Sequence, residues 1–418
     1  MQYIITAPEH INATIDLPTS KSISNRALII HALSKGDILP QNLSVCDDTE
    51  VIVDAMQRNP YEINIKSAGT AMRFMTAYLA VTPGEHVLTG TDRMKQRPIG
   101  SLVNALRYLG ADIEYVENEG FPPLRIKGRS LEGGFVEVAG NISSQYISAL
   151  LMIGPTLKKG LTLHMTDGVI SRPYIELTLW MMREFGADAD WTDSDTIQVN
   201  AKPYESRQYV IESDWSAASY WYEMLALRKD DDSLVQFNGL MDASKQGDSI
   251  VKYIFSLIGV KTKFATNPAT QSTTVNIKCH RSMLPRLDYD FVNVPDLAQT
   301  AVVTCALRDI PFRFTGLSTL HIKETDRIEA LKREMRKLGY VLHDENNDTL
   351  VWDGTRCAPT FEPIDTYDDH RIAMAFAPAA IVFPRLRINN PQVVTKSYPQ
   401  FWTDLRKAGF DIMTANNK

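Results

Sequence analysis

Cationic side chains recur in short motifs that also carry hydroxyls, amides or small residues: Lys21, Arg26, Arg73, Arg97, Lys323, Arg327, Arg371 and Lys396. The first motif, Pro18-Thr-Ser-Lys-Ser-Ile-Ser-Asn-Arg26, leads into an apolar stretch that stops at Gly36. Ser20 or Ser22 can cap a helix there, the free N–H groups of its first turn favour an anion, and Ser22 and Arg26 share one face. Three serines with Lys21 and Arg26 exceed what a cap needs, so the segment reads as a cradle for phosphate or carboxylate.

Ser67-Ala-Gly-Thr-Ala-Met-Arg73 places small residues where backbone can approach a ligand, at the head of a helix expected over residues 70–79. Arg93-Met-Lys-Gln-Arg-Pro98 sets three cations ahead of a helix, where the dipole repels them and a bound anion would relieve the conflict. Asn141-Ile-Ser-Ser-Gln-Tyr146 and Ser171-Arg-Pro-Tyr174 bring hydroxyls and an amide to two further helix starts. In Lys323-Glu-Thr-Asp-Arg327 the spacing puts Lys323 and Arg327 on one helix face, and Asp368-Asp-His-Arg371 offers Asp369 as a cap with Arg371 on the turn after it. Gathered around one pocket, these cations would grip a ligand bearing several negative charges, Arg by bidentate contacts and Lys as a movable point charge or proton carrier.

The surroundings narrow the class. The chain has 418 residues and a net charge of −6, which argues against general nucleic-acid binding. Its longest strongly apolar stretch, residues 373–383, contains Pro378 and is too short for a membrane span. The start of the chain lacks the basic and apolar pattern of a secretory signal, so the expectation is a cytoplasmic protein. Cys46, Cys279, Cys305 and Cys357 stand apart and are expected to be buried and reduced, with no metal-ligand spacing among them. Phosphate-loop, dinucleotide-loop, zinc-protease and nucleophile-elbow signatures are all missing.

The elements that must position the motifs follow one pattern: an apolar helix, a glycine and a short alternating strand. It recurs at Gly110, Gly186, Gly259, Gly339 and Gly409, spaced 76, 73, 80 and 70 residues apart. A glycine there ends a helix because the position after the last turn takes positive φ. The near-constant period predicts a duplicated βα module. Pro98, Pro173 and Pro295 are expected to open helices, and Ile211, residues 234–237 and residues 273–277 to lie in strands, with Lys229-Asp-Asp-Asp232 a solvated turn.

Read together, Ser-Lys-Ser-x-Ser-Asn-Arg26, Ala68-Gly-Thr-Ala-Met-Arg73, Arg93-Met-Lys-x-Arg-Pro-Ile99, Ser143-Ser-Gln145, Gln246-Gly-Asp248, Lys323-Glu-Thr-Asp-Arg327 and Asp369-His-Arg371 resemble the 5-enolpyruvylshikimate-3-phosphate synthase (3-phosphoshikimate 1-carboxyvinyltransferase) family of enolpyruvyl transferases. The motifs keep the family's order over nearly the whole chain. The resemblance implies an α/β protein of two inside-out domains, each of three βαβαββ repeats, with the active site in the cleft between them. The domains would be residues 19–212, and residues 1–18 with 213–418. The stretch between Asp48 and Ser67 is short for the family, so the first repeat is expected to be reduced.

The implied reaction, in the shikimate pathway to chorismate and the aromatic amino acids, moves the enolpyruvyl group of phosphoenolpyruvate to the 5-hydroxyl of shikimate 3-phosphate. By motif position, Lys21, Ser22, Arg26, Ser143, Ser144, Gln145, Ser171, Asp296, Thr319 and Lys323 resemble the shikimate 3-phosphate ligands. Lys21, Gly69, Arg97, Gln145, Arg327, Arg371 and Lys396 resemble those for phosphoenolpyruvate. Asp296 matches the proton acceptor and Glu324 the proposed donor, with Lys21 a third catalytic group. No metal or organic cofactor is implied, and the expected partners are the small-molecule substrates of a monomer.

This sequence departs from the family's usual pattern at Thr19, Ser67, Phe74 and Thr319. Phe74 stands where proline is usual, which leads to the expectation that glyphosate, a phosphoenolpyruvate mimic, binds differently here. Two rivals remain. UDP-N-acetylglucosamine enolpyruvyl transferase resembles the same fold but expects a reactive loop cysteine, for which only Cys46 is a candidate. A silent phosphometabolite-binding protein would have no need of Asp296, Glu324 and Lys21 together.

Overall fold

A computed structural model describes residues 1–266 and 273–415. The chain divides into two compact units: a central one, Thr19–Ile211, and a terminal one, Met1–Pro18 with Glu212–Lys418. Each has its own apolar core, built in the central unit around residues such as Ile30, Met72, Leu106 and Leu150, and in the terminal unit around Trp221, Phe255, Phe314 and Leu331. No helix among the described residues is long and apolar enough to cross a membrane.

The period in the sequence is a period in the sheets. In the central unit, Gly134–Ala139 pairs parallel with Leu161–Thr166, which pairs antiparallel with Thr196–Val199, itself bordered by Ala189–Asp193. Numbered along the chain within the repeat, the strand order is first, second, fourth, third. The same order holds for Glu62–Asn64, Gly84–Thr89, Asp112–Tyr115 and Leu124–Gly128. The terminal unit repeats it with Leu287–Asp290, Phe312–Thr315, His343–Glu345 and Thr349–Trp352, and again with Asn12–Asp16, Leu234–Asn238, Val260–Thr266 and Thr273–Cys279. A fifth sheet, Leu386–Asn389, Gln2–Thr6 and Asp411–Ala415, has its first strand reduced to a parallel bridge between Ile364 and Ile388. Parallel neighbours need a crossover, and the helices Gly69–Val81, Ser144–Ile153 and Ala298–Leu307 supply it.

All five spaced glycines end helices at positive φ: 100° at Gly110, 80° at Gly186, 108° at Gly259, 96° at Gly339 and 93° at Gly409. A sixth member of the series is Asn59, with φ 44° after the helix Asp47–Arg58. Asparagine is the other residue that tolerates this left-handed cap. Only 51 residues separate Asn59 from Gly110, because the chain goes directly from Asn59 to Glu62–Asn64, the first strand of the next repeat. The first repeat keeps its helices but lacks the hairpin, and a single parallel bridge, Gln41 to Val210, remains of its strand pairing.

Some local expectations are corrected. Pro98 lies ahead of its helix, which has Ile99 at the cap and begins at Gly100, whereas Pro173 and Pro295 do sit in first turns. Ile211 is outside any strand, the bridge being at Val210. Three thiols are buried, but Cys357 is half-buried.

Candidate active site

In the central unit the helix Lys21–Ser34 begins at Ser20, whose hydroxyl accepts from Ile23 N–H at 3.4 Å. Ser22 therefore lies inside the first turn and is not the cap. Lys21 Nζ is 3.0 Å from Asp48 Oδ2, and the carboxylate is only 3% exposed. Asp48 gives the lysine a counter-charge on the helix Asp47–Arg58.

Arg26 is buried, and its position explains the other serine-rich motifs. Its Nε donates to Thr178 Oγ1 at 2.7 Å, Nη1 to Ser22 O at 2.9 Å, and Nη2 to Ser148 Oγ and Tyr174 O, both at 3.2 Å. Ser148 and Thr178 lie on the helices Ser144–Ile153 and Arg172–Glu184, so this guanidinium ties together the helices that follow Ser143 and Ser171. The Phe74 ring sits 5.4 Å below it, and burial pulls its pKa down to about 10. A positive charge with hydroxyls and carbonyls around it is one that a nearby anion stabilises.

Ser143 caps the helix Ser144–Ile153 by accepting from Gln145 N–H at 3.3 Å, and the Gln145 amide reaches Thr70 Oγ1 at 3.2 Å. Ser144 is buried in the first turn. Ser171 occupies the cap position of the next helix at φ 53°, a strained conformation for serine that its buried surroundings hold in place.

Gly69 opens the helix Gly69–Val81, and a β-carbon placed on it would meet the Arg97 guanidinium, with Nη1 at 2.5 Å. Glycine is therefore needed for close approach. The loop that carries Arg97 is braced by Arg73, whose Nη1 donates to Gly69 O at 3.1 Å and Nη2 to Pro98 O at 2.9 Å, and by Tyr146, whose hydroxyl donates to Pro98 O at 2.5 Å. Arg73 thereby braces the loop from the helix Gly69–Val81. Of the cations at the start of this loop, Arg93 and Lys95 belong to a short helix, Asp92–Lys95, capped by Thr91.

In the terminal unit five sequence-derived residues form one network. Arg327, 2% exposed, pairs with Asp296 Oδ1 at 3.3 Å, Glu324 Oε2 at 2.9 Å and Asp369 Oδ2 at 2.7 Å. Burial opposes its charge, but the three carboxylates outweigh that, and its pKa is held above the ordinary arginine value. Arg371 Nη2 lies 2.7 Å from Asp296 Oδ2, and Lys396 Nζ lies 3.0 Å from Glu324 Oε1. Asp296 is thus held by two arginines, and Glu324 by an arginine and a lysine.

The expectation that Lys323 and Arg327 share a helix face fails. Asp326 is the cap and the helix begins at Arg327, so Lys323 stands outside it, at the end of the short turn Ser318–Ile322. Thr319 lies on that turn, its hydroxyl buried with no partner among the described residues.

Three residues of this network were not singled out for it in the sequence. Asp369 caps the helix His370–Phe376 through Arg371 N–H at 2.8 Å and also pairs with Arg327, so its capping role was legible and its ion pair was not. Tyr220 receives Arg371 Nη1 at 3.4 Å, and burial pushes its hydroxyl up to about 12. Asp248, in the Gln246-Gly-Asp248 motif, is buried and accepts from Ser216 Oγ. Burial and the nearby Asp296 charge raise its pKa to about 6.

The comparisons with known proteins agree in kind. The family model described as EPSP synthase (3-phosphoshikimate 1-carboxyvinyltransferase) matches residues 5–59 and 56–405. A 3-phosphoshikimate 1-carboxyvinyltransferase of Bacteroides fragilis is 59% identical over 413 residues, covering 99% of each chain. One from Photobacterium profundum is 33% identical and covers 94% of this chain and 96% of its own. Among solved structures, an EPSP synthase from Acinetobacter baumannii matches with a TM-score of 0.75 at 19% identity, covering 99% of this chain and 100% of its own, which speaks to the fold.

Proposed function

The chain belongs to the EPSP synthase family, and from that premise we propose that it transfers the enolpyruvyl group of phosphoenolpyruvate to the 5-hydroxyl of shikimate 3-phosphate, releasing phosphate, with the residues assigned as follows. Asp296 takes the proton of the attacking hydroxyl as oxygen bonds to C2. Glu324, protonated once substrate anions take over its cations, delivers a proton to C3, giving a tetrahedral adduct. Glu324 takes a proton back from C3 as the C2–O bond to phosphate breaks, which restores the double bond, and the departing phosphate carries off the proton held by Asp296. Two carboxylates with different neighbours can divide this work.

Arg327, Arg371 and Lys396, with Lys21, Gly69, Arg97 and Gln145, hold phosphoenolpyruvate and the charge that develops on the leaving phosphate. Lys21, Ser22, Arg26, Ser143, Ser144, Gln145, Ser171, Asp296, Thr319 and Lys323 hold shikimate 3-phosphate. The observation that carries the reading is the joining of Asp296, Glu324, Arg327, Arg371 and Lys396 in one network, although their sequence positions span 100 residues. An anion reaching these cations displaces carboxylates from them, and a displaced carboxylate is a better base. Residues 19–212, and 1–18 with 213–418, act as the two domains of a cytoplasmic monomer.

The test is phosphate release from phosphoenolpyruvate with shikimate 3-phosphate or UDP-N-acetylglucosamine as acceptor. Release that depends on the first acceptor alone is expected. Release with only the second, or binding of both substrates without turnover, overturns the reading.

A further inference from the structure

The turn that bears Thr319 and leads to Lys323 and Glu324 is held by side chains that play no part in the assignments above. At its front, Asp348 Oδ2 accepts from Gly316 N–H at 3.1 Å and Oδ1 from Ser318 N–H at 3.2 Å, while the Asp348 carbonyl accepts from Leu317 N–H at 2.9 Å. At its back, His321 Nδ1 lies 2.8 Å from Asp326 Oδ2. An ionised carboxylate only accepts, so Nδ1 carries the proton of this bond. The other oxygen, Asp326 Oδ1, accepts from Glu329 N–H at 3.1 Å and caps the helix Arg327–Lys337. One carboxylate therefore closes the loop 321–326 and ties it to the helix that begins with Arg327.

Inside that loop Glu324 has two holds of its own, on Arg327 Nη2 at 2.9 Å and Lys396 Nζ at 3.0 Å. Thr319 differs. Its hydroxyl is buried without a partner among the described residues, so its placement follows the backbone of the turn. The ring nitrogen of His321 that faces away from Asp326, Nε2, is likewise buried without a partner, which leaves the Nδ1 bond as the contact that orients the ring.

We propose that His321 and Asp326 form a latch that keeps the Ser318–Lys323 turn in the shape that presents Thr319 and Lys323 to the phosphorylated acceptor. His321 is then a positioning residue, acting through Asp326 and the turn rather than by touching substrate. The inference rests on the acceptor assignment made above. Fixing the turn before the acceptor arrives removes an ordering cost from binding, and Glu324 is secured independently. The latch therefore governs acceptor affinity more than turnover.

Phosphate release is measured with shikimate 3-phosphate varied at saturating phosphoenolpyruvate for the unaltered protein, His321→Ala, His321→Asn and Asp326→Asn, each checked by thermal melting. His321→Ala is expected to raise the acceptor KM by about fivefold or more with kcat within about twofold. His321→Asn, whose amide N–H can stand in for Nδ1–H, is expected to restore most of that loss. Asp326→Asn keeps a good cap residue but weakens the charge-assisted bond, and is expected to raise the same KM.

An unchanged acceptor KM in His321→Ala overturns the latch, as does a fall in kcat at constant KM, or no recovery in His321→Asn. Should His321→Ala fail to fold, Asp326→Asn decides: an acceptor KM equal to that of the unaltered protein overturns the latch. No acceptor-dependent release by the unaltered protein overturns the activity assignment instead. An active protein with indifferent variants overturns the latch alone.

Discussion

Gly69 lies directly against the guanidinium of Arg97, so close that a β-carbon on the glycine would stand 2.5 Å from Nη1. The neighbour is the end of a flexible side chain, so Gly69→Ala displaces the arginine head and leaves the helix Gly69–Val81 intact. Thermal stability is expected to stay within about 1 kcal/mol of the parent, while the KM for phosphoenolpyruvate rises on the order of tenfold. Steady-state kinetics with each substrate varied checks this. An unchanged value for phosphoenolpyruvate counts against the role of Arg97.

Asp296 is held between Arg327 and Arg371 at 3.3 and 2.7 Å. Asp296→Asn keeps the shape of the side chain but leaves only one acceptor oxygen for the two arginines, and it cannot accept the hydroxyl proton. Phosphate release is expected to fall by roughly a hundredfold or more, with both substrates still bound in equilibrium titration. Retained turnover would remove Asp296 from the proton-transfer step.

Asp248 introduces a pH dependence. Its folded pKa, about 6 against an ordinary value of 3.8, is raised by burial and then by the Asp296 charge. A carboxyl raised in this way binds more protons folded than unfolded, so its favourable contribution is complete below the ordinary value and is lost as pH rises through about 6. Asp248→Asn cannot ionise, so its melting temperature is expected to exceed the parent's by a few degrees at pH 7 and to converge with it near pH 4. Melting curves from pH 4 to 7 decide the matter, and a constant gap would show that the group does not titrate in this range.

Arg26 spends donors on Ser22, Ser148, Tyr174 and Thr178. Lysine has no planar fork to replace them, and its ammonium is harder to bury. Arg26→Lys is expected to destabilise the fold by about 2–4 kcal/mol, beyond any effect on acceptor binding. Urea denaturation of the variant alone reports the stability loss, and a change below about 0.5 kcal/mol would mean that the helices do not depend on this contact.

Much of the fold was legible because it rests on local chemistry. The helix-ending glycines announce positive φ wherever they stand, and Ser20, Ser143 and Asp369 announce caps, since both effects act within a few residues. Asn59 completes the series, but a non-glycine cap followed by no hairpin carries no periodic signal, and the shortened spacing alone could indicate only that something was missing. Spacing suggests one helix face for Lys323 and Arg327 but does not reveal where a helix begins, and Asp326 caps the helix between them, leaving Lys323 outside it.

By itself the sequence determined the family, the order of the motifs and the residue types available for gripping anions, all of which are properties of short contiguous segments. Tertiary structure decided what those groups touch. Arg327 meets Asp369 across 42 positions and Arg26 meets Thr178 across 152, and only the packing of repeats can select such partners. The physical reason is that a buried charge cannot stay unpaired, so the fold must supply its counter-charges and hydrogen bonds from elements far away along the chain.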